Sequence, residues 1–154
     1  MKYLFLLSLL ILSACSSENK PVRFYIKEVT LLASEKTQID ASLALLNDGG
    51  NDLIGYSGGD RPLEIRAASL PGTTLSRSSP RTYGCVIEID TSNGVIQSDP
   101  QIIKYIFAHE LGHCYGLDYS SDPSDIMYYS LITTWSAPLE DKIKAFGKRL
   151  KGSF

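Results

Sequence analysis

The chain has 154 residues, a formal net charge of −2 at pH 7 and 44% hydrophobic residues. This length and composition predict one domain with an ordinary apolar core. The mildly acidic balance, without a basic stripe, excludes a surface built to bind nucleic acid through its phosphates. Beyond residues 3–12, no apolar run approaches the ~20 residues of a membrane-spanning helix.

The N-terminal segment has the pattern of an export signal. Lys2 precedes the apolar run at residues 3–12, which is too short to remain in a bilayer as a helix. The run ends in the sequence LSAC at positions 12–15, and this sequence resembles the lipobox of bacterial lipoproteins. A plain secretory signal with an incidental cysteine is the alternative.

The lipobox resemblance implies a lipid anchor. Residues 1–14 are then a signal peptide, Cys15 receives the lipid, and the polar residues 15–21 form a tether. The implied location is a bacterial cell envelope with the protein bound to the membrane. Ser16, rather than an aspartate, follows the cysteine and favours the outer membrane.

The first half of the mature chain alternates strand and helix patterns. Branched and aromatic residues predict a strand over 22–32, and apolar residues at helical spacing predict a helix over 34–47. Short strands are predicted at 52–56 and 63–67, and a polar segment rich in serine and proline covers 68–83.

The second half contains one more strand and two helices. Residues 84–90 alternate in polarity as a strand does. Asp99 is a good N-cap and Pro100 suits the first position of a helix, so a helix is predicted to begin there. Residues 128–138 are irregular, and apolar residues at helical spacing predict a closing helix over 139–151. These periodicities predict an α+β fold.

Two cysteines remain once Cys15 is modified. Cys85 and Cys114 are a disulfide candidate in an oxidising compartment. Two small buried thiols are the equally favoured alternative, because free cysteine packs as a small hydrophobe.

The sequence HELGH begins at His109 and has the H-E-x-x-H pattern of zinc hydrolases. On a helix, His109 and His113 lie on one face, so both imidazoles can reach one zinc ion at ~2.0–2.1 Å. Glu110 lies beside the pair, where a carboxylate can take a proton from water.

The residues that follow extend the motif. Gly116 stands where the helix must end, and a turn-rich segment then leads to Met127. The run resembles the metzincin metalloproteases, and most closely the matrixins, whose pattern is H-E-x-x-H-x-x-G-x-x-H followed by a methionine-containing turn. Five positions match this pattern and its surroundings: Gly116, Leu117, Asp118, Ser120 and Met127. Tyr119 occupies the position of the family's third zinc-binding histidine.

The resemblance implies a fold and an activity. The fold is a small α+β domain over residues 22–154, with a mixed twisted sheet, a zinc-site helix and a C-terminal helix. Met127 forms an apolar floor under the metal, and Tyr129 either assists at the zinc or is an ordinary tyrosine. A substrate lies extended beside an edge strand, for which residues 72–79 are in the right place, and residues 128–138 shape the specificity pocket.

The third zinc ligand has several candidates, because the chain contains only two histidines. The motif position favours Tyr119, although a phenol is an unusual ligand. A small shift of the turn would present the Asp118 carboxylate instead. Glu140 is a weaker candidate, and Cys114 is turned away from His113 by about 100° around the helix.

Two functions of different classes follow. The first is a zinc-dependent endopeptidase that acts on a peptide or protein, with His109, His113 and Tyr119 holding Zn²⁺ and Glu110 as the general base. The second is a lipid-anchored, non-catalytic binding module of the cell envelope. The intact Glu110 favours the enzyme, because a binding module has no need of a base beside the histidines.

Overall fold

The structure is a computed structural model that describes residues 22–48, 54–129 and 136–152. The predicted signal peptide, the tether with Cys15, and residues 130–135 of the predicted specificity segment lie outside these ranges. No helix within them is long and apolar enough to cross a membrane.

A mixed sheet of five strands forms the frame of the described chain. In chain order the strands are β1 (Phe24–Thr30), β2 (Ile54–Gly55), β3 (Arg61–Ala67), β4 (Ser76–Arg81) and β5 (Gly84–Ile89). Their order across the sheet is β2-β1-β3-β5-β4. Strands β2, β1, β3 and β5 run parallel to one another, and β4 pairs antiparallel with β5. Strand β4 therefore lies at an edge.

Four α-helices complete the described fold: α1 (Ala33–Leu46), α2 (Gly94–Ser98), α3 (Ile103–Cys114) and α4 (Ala137–Gly152). The predicted helices correspond to α1, α3 and α4. The five-residue α2 was not predicted, and its N-cap is Asn93, whose side chain accepts a hydrogen bond from the Val95 amide. The α+β prediction is confirmed.

The polarity pattern identified strand β5 but not β4, which lies within the polar segment predicted at 68–83. Cys85, Ile87 and Ile89 are buried, as their alternation predicts. Glu88 points to the other face, where its carboxylate pairs with the guanidinium groups of Arg66 and Arg77. These pairs hold the pKa of Glu88 below its usual value, with the Arg77 hydrogen bond as the main cause.

A disulfide bond joins Cys85 to Cys114. It confirms the first of the two alternatives for these cysteines. The bond connects a central strand to the last residue of α3, directly after His113. It also removes Cys114 as a possible thiolate ligand for a metal.

Candidate metal centre

Helix α3 carries the H-E-x-x-H motif, and its entry is fixed as predicted. The Asp99 carboxylate accepts a hydrogen bond from the Gln101 amide at 3.2 Å, and Pro100 opens the first turn. This turn is a 3-10 turn over Pro100–Ile102 that continues into α3. Phe107 and Leu111 are fully buried and anchor the helix in the core. The motif is therefore carried on a rigid element.

Gly116 ends this helix, as the sequence predicts. Its φ of +84° lies in the left-handed region, which a side chain would strain. The Gly116 amide donates to the His113 carbonyl at 2.9 Å, and the Leu117 amide donates to the Gly112 carbonyl at 3.0 Å. The chain thus turns back across the face that carries the histidines.

Both imidazoles are oriented by backbone carbonyls. The Nδ1 atom of His113 lies 2.7 Å from the Leu117 oxygen, and that of His109 lies 2.8 Å from the Ile126 oxygen. A carbonyl oxygen can only accept, so each Nδ1 carries the proton. Each Nε2 is left with a free lone pair, which is the tautomer that binds metal.

The two rings lie together, with centroids 4.9 Å apart. The Nε2 atom of His113 is buried and has no hydrogen-bond partner among the described residues. A buried polar atom without a partner lowers the stability of the fold by ~1–3 kcal/mol, and a bound metal would remove this cost. Burial lowers the pKa of His109, which keeps that ring neutral at pH 7. Two neighbouring imidazoles, each held through Nδ1 by a carbonyl, fit a divalent metal such as zinc.

The Met127 turn closes the site from below. Met127 is 1% exposed, and a Cβ placed on Gly112 would lie 2.3 Å from its sulfur. The methionine therefore packs directly against the α3 backbone at a position that only glycine can fill. This contact places Met127 against the helix that carries the histidines, and its role as a floor under the metal stays a prediction.

Asp125 ties this turn to the C-terminal helix. Its carboxylate accepts from the Met127 amide at 3.0 Å and from both terminal nitrogens of Arg149 on α4, at 2.7 and 3.1 Å. The Arg149 hydrogen bonds hold the pKa of Asp125 below its usual value. Helix α4 thereby holds the turn beneath the histidines.

Tyr119 lies beside both imidazoles. The Ser120 amide donates to the Met127 carbonyl at 2.7 Å, which docks this segment onto the turn. The Tyr119 ring centroid lies 4.6 Å from that of His113 and 5.7 Å from that of His109. Tyr119 is 65% exposed, so its ring lies beside the histidines at the surface.

The carboxylate alternatives for the third ligand do not join this cluster. The described residues contain no group of three His, Cys, Asp or Glu side chains placed to share a metal ion. Glu140 instead pairs with Lys104 at 3.7 Å. Asp118 is exposed on the turn that carries Tyr119. Of the candidates for the third ligand, Tyr119 is the one whose ring lies against both imidazoles.

Glu110 is held by a residue that the sequence analysis did not identify. The Ser76 hydroxyl on β4 donates to Oε1 of Glu110 at 2.6 Å. Glu110 is 5% exposed, so one strong hydrogen bond largely fixes its carboxylate. The two residues are 34 positions apart, and only the resemblance, through its edge strand at 72–79, pointed to this region.

Two depressions flank Glu110 along β4. The first encloses about 190 Å³ beside His109, and its lining includes Tyr105, Tyr119, Tyr128 and Tyr129. The second encloses about 570 Å³ beside His113 and follows the outer edge of β4. Together they form a cleft that crosses the histidines. Tyr129 lies in the first depression with its ring 4.7 Å from that of Tyr128.

No protein-family model matches the sequence, and no curated protein is significantly similar to it. Among solved structures, the chain is similar to the crystal structure of archaemetzincin from Methanopyrus kandleri, with a TM-score of 0.51 and 15% sequence identity. The match covers 88% of this chain and 97% of that chain. At this identity the likeness shows the fold alone. The chain therefore has a metzincin-like fold of the archaemetzincin type.

Proposed function

We propose that the protein is a zinc-dependent endopeptidase. The observation that carries this proposal is the pair of imidazoles locked with their Nε2 lone pairs available, one of them buried without a partner. Zinc, when bound, supplies a Lewis acid that polarises a peptide carbonyl and activates water. His109 and His113 would hold it, with Tyr119 as the third ligand.

Glu110 performs the proton transfers in this proposal. Its carboxylate accepts the proton of the attacking water and passes it to the leaving amine. Ser76 holds one oxygen of the carboxylate, and Glu110 lines both depressions of the cleft. This arrangement favours catalysis over the binding module, which has no use for a carboxylate held at that point. The decisive measurement is zinc-dependent cleavage of an unfolded protein, lost in Glu110→Gln.

The proposed substrate is a peptide in extended form. Four tyrosines, Leu75 and Ile106 line the depression beside His109, so it favours an apolar substrate side chain next to the reacting bond. The depression beside His113 gives the rest of the peptide a path along β4. The Gly116–Met127 match to the matrixin pattern supports the same class of substrate.

Tyr119→Phe is expected to weaken zinc binding by about 10- to 100-fold or more. Loss of a group that only hydrogen-bonds a metal ligand already has an effect of this size, and loss of a ligand itself should not have a smaller one. The change removes only the phenol oxygen of an exposed side chain, so the free energy of unfolding without metal should stay within about 0.5 kcal/mol. Tyr119→His should restore the family's ligand and tighten binding. Competition against a zinc-sensitive dye measures all three affinities.

Tyr129→Phe is the matched control for this series. Tyr129 is similarly exposed and lines the same depression, and its ring contacts Tyr128 rather than the histidines. Its loss of a hydroxyl should leave zinc affinity unchanged. If Tyr119→Phe has no effect while Asp118→Asn weakens binding, the carboxylate is the ligand and the assignment of Tyr119 is wrong.

The proposed location is the outer membrane of a bacterial envelope, reached through a lipid on Cys15. The support is the LSAC sequence at positions 12–15. Cys15→Ser removes the thiol that would carry the lipid, so it should abolish incorporation of labelled fatty acid and release the protein from the membrane fraction. Glu110→Gln should keep its label. An unmutated chain that takes up no fatty acid refutes the anchor.

A further inference from the structure

The outer edge of β4 is open along the cleft. β4 is the last strand of the sheet, and within residues 22–48, 54–129 and 136–152 no strand pairs with its other side. The outward N–H and C=O groups of an edge strand can add an extended peptide as a further strand. Which residues present those groups is fixed by the pairing of β4 with β5.

The pairing turns alternate residues of β4 outward. The Asp90 amide donates to the Leu75 carbonyl at 2.8 Å, and Arg81 pairs with Gly84 across a two-residue turn. In an antiparallel ladder, every second residue bonds to the same neighbour, so the odd-numbered residues of β4 bond to β5. The even-numbered residues point their backbone groups at the free edge: Ser76, Ser78 and Pro80. All three line the depression beside His113.

Pro80, the last of these positions, ends the row of outward backbone groups that a peptide strand could bond to, and this row is called the ladder below. Pro80 has no N–H, so it offers a peptide an acceptor and no donor. Ser76 and Ser78 offer both groups. At ~3.3 Å per residue, Pro80 lies about 13 Å along the strand from Ser76.

The reacting end of this ladder is at Ser76, whose side chain holds Glu110. One full outward position, Ser78, therefore separates the base from the proline. We propose that Pro80 is a specificity-determining residue: it limits main-chain recognition to the span Ser76–Ser78, so the protein reads only about two peptide residues on the His113 side of the cleaved bond. This inference rests on the proposed function for its occupant, an extended peptide.

The experiment measures binding as a function of peptide length. Zinc-loaded Glu110→Gln protein is titrated into fluorescent peptides that share one core and grow by one residue at a time from either end, and anisotropy reports the affinity. On the end that lies against β4 beyond Ser78, affinity should stop rising after about two residues. Adding Pro80→Ala should supply the missing donor and give the next residue a further 2- to 10-fold gain, about the net effect of one hydrogen bond.

Two further variants test whether the effect depends on the outward backbone donors of β4. Ser79→Ala is the matched control, because Ser79 bonds to β5 and its change should leave the plateau where it is. Ser78→Pro removes an outward donor and should weaken peptides that reach this position by about 2- to 10-fold. A plateau at the same length with and without Pro80→Ala overturns the inference.

The outcomes also separate this inference from the proposed function. Length-dependent binding that shifts with Pro80→Ala supports the ladder even if the unmutated protein cleaves nothing. Zinc-dependent cleavage without binding along β4 supports the enzyme and overturns the ladder. If Pro80→Ala forms dimers in sedimentation and the plateau does not move, the proline guards the edge against strand pairing instead.

Discussion

The Glu110→Gln variant is expected to bind zinc as tightly as the unmutated protein and to lose peptide hydrolysis. The amide is nearly the same size as the carboxylate and can still accept from the Ser76 hydroxyl. It cannot take a proton from water, so kcat should fall by at least about 10²- to 10⁴-fold, the usual contribution of a general base. Cleavage of a quenched fluorescent peptide, with zinc content measured on the same sample, checks both halves.

Glu140→Gln is the matched control for this variant. Glu140 undergoes the same chemical change, and its carboxylate pairs with Lys104 rather than joining the histidines. Its kcat and zinc content should equal those of the unmutated protein. Full turnover by Glu110→Gln would refute the mechanism, and loss of zinc from Glu140→Gln would restore the glutamate as a ligand.

Removing the disulfide is expected to cost the fold about 3–4 kcal/mol. The bond closes a loop between residues 29 positions apart, and the chain-entropy estimate for a loop of this size lies in that range. The Cys85→Ala/Cys114→Ala double variant should therefore unfold at markedly lower urea concentration. Because Cys114 directly follows His113, zinc affinity should fall as well when the end of α3 loosens.

The unmutated protein in a reducing agent supplies the control for this pair. Metal-free samples should unfold at nearly the same urea concentration whether the bond is reduced or the cysteines are replaced. A double variant as stable as the oxidised protein would show that the bond contributes nothing to folding. A destabilised variant with unchanged zinc affinity would show that α3 keeps its end without the bond.

The parts of the site that the sequence predicted depend on short spacings. His109 and His113 share a helix face whatever surrounds them, and Gly116 ends the helix for a local backbone reason. Ser76 was not predicted, because its contact with Glu110 joins a strand to a helix 34 positions away in the sequence. The Cys85–Cys114 pairing stayed open for the same reason, since spacing alone does not state which strand lies beside the helix end.

The elements of the fold also divide into those that a local sequence pattern predicts and those that depend on tertiary packing. Strand β5 and helix α3 have strong periodicity over six or more residues, and both were predicted. Strand β2 lies inside the strand predicted at 52–56, but with two residues it is too short for a pattern to set its bounds. Helix α2 has five residues and was not predicted. The order β2-β1-β3-β5-β4 follows from tertiary packing, and the alternation of polar and apolar residues carries no information about it.

The Ile126 carbonyl has a consequence for how the centre receives its metal. It accepts from Nδ1 of His109 at 2.8 Å and from the Tyr105 hydroxyl at 2.9 Å, which engages both of its lone pairs. Burial raises the pKa of Tyr105 to about 12, so this hydroxyl keeps its proton and remains a donor throughout the physiological range. Neither donor can leave without stranding a buried group. The imidazole is thus preorganised when the chain folds, and the rotational entropy of that ring is lost before any ion arrives.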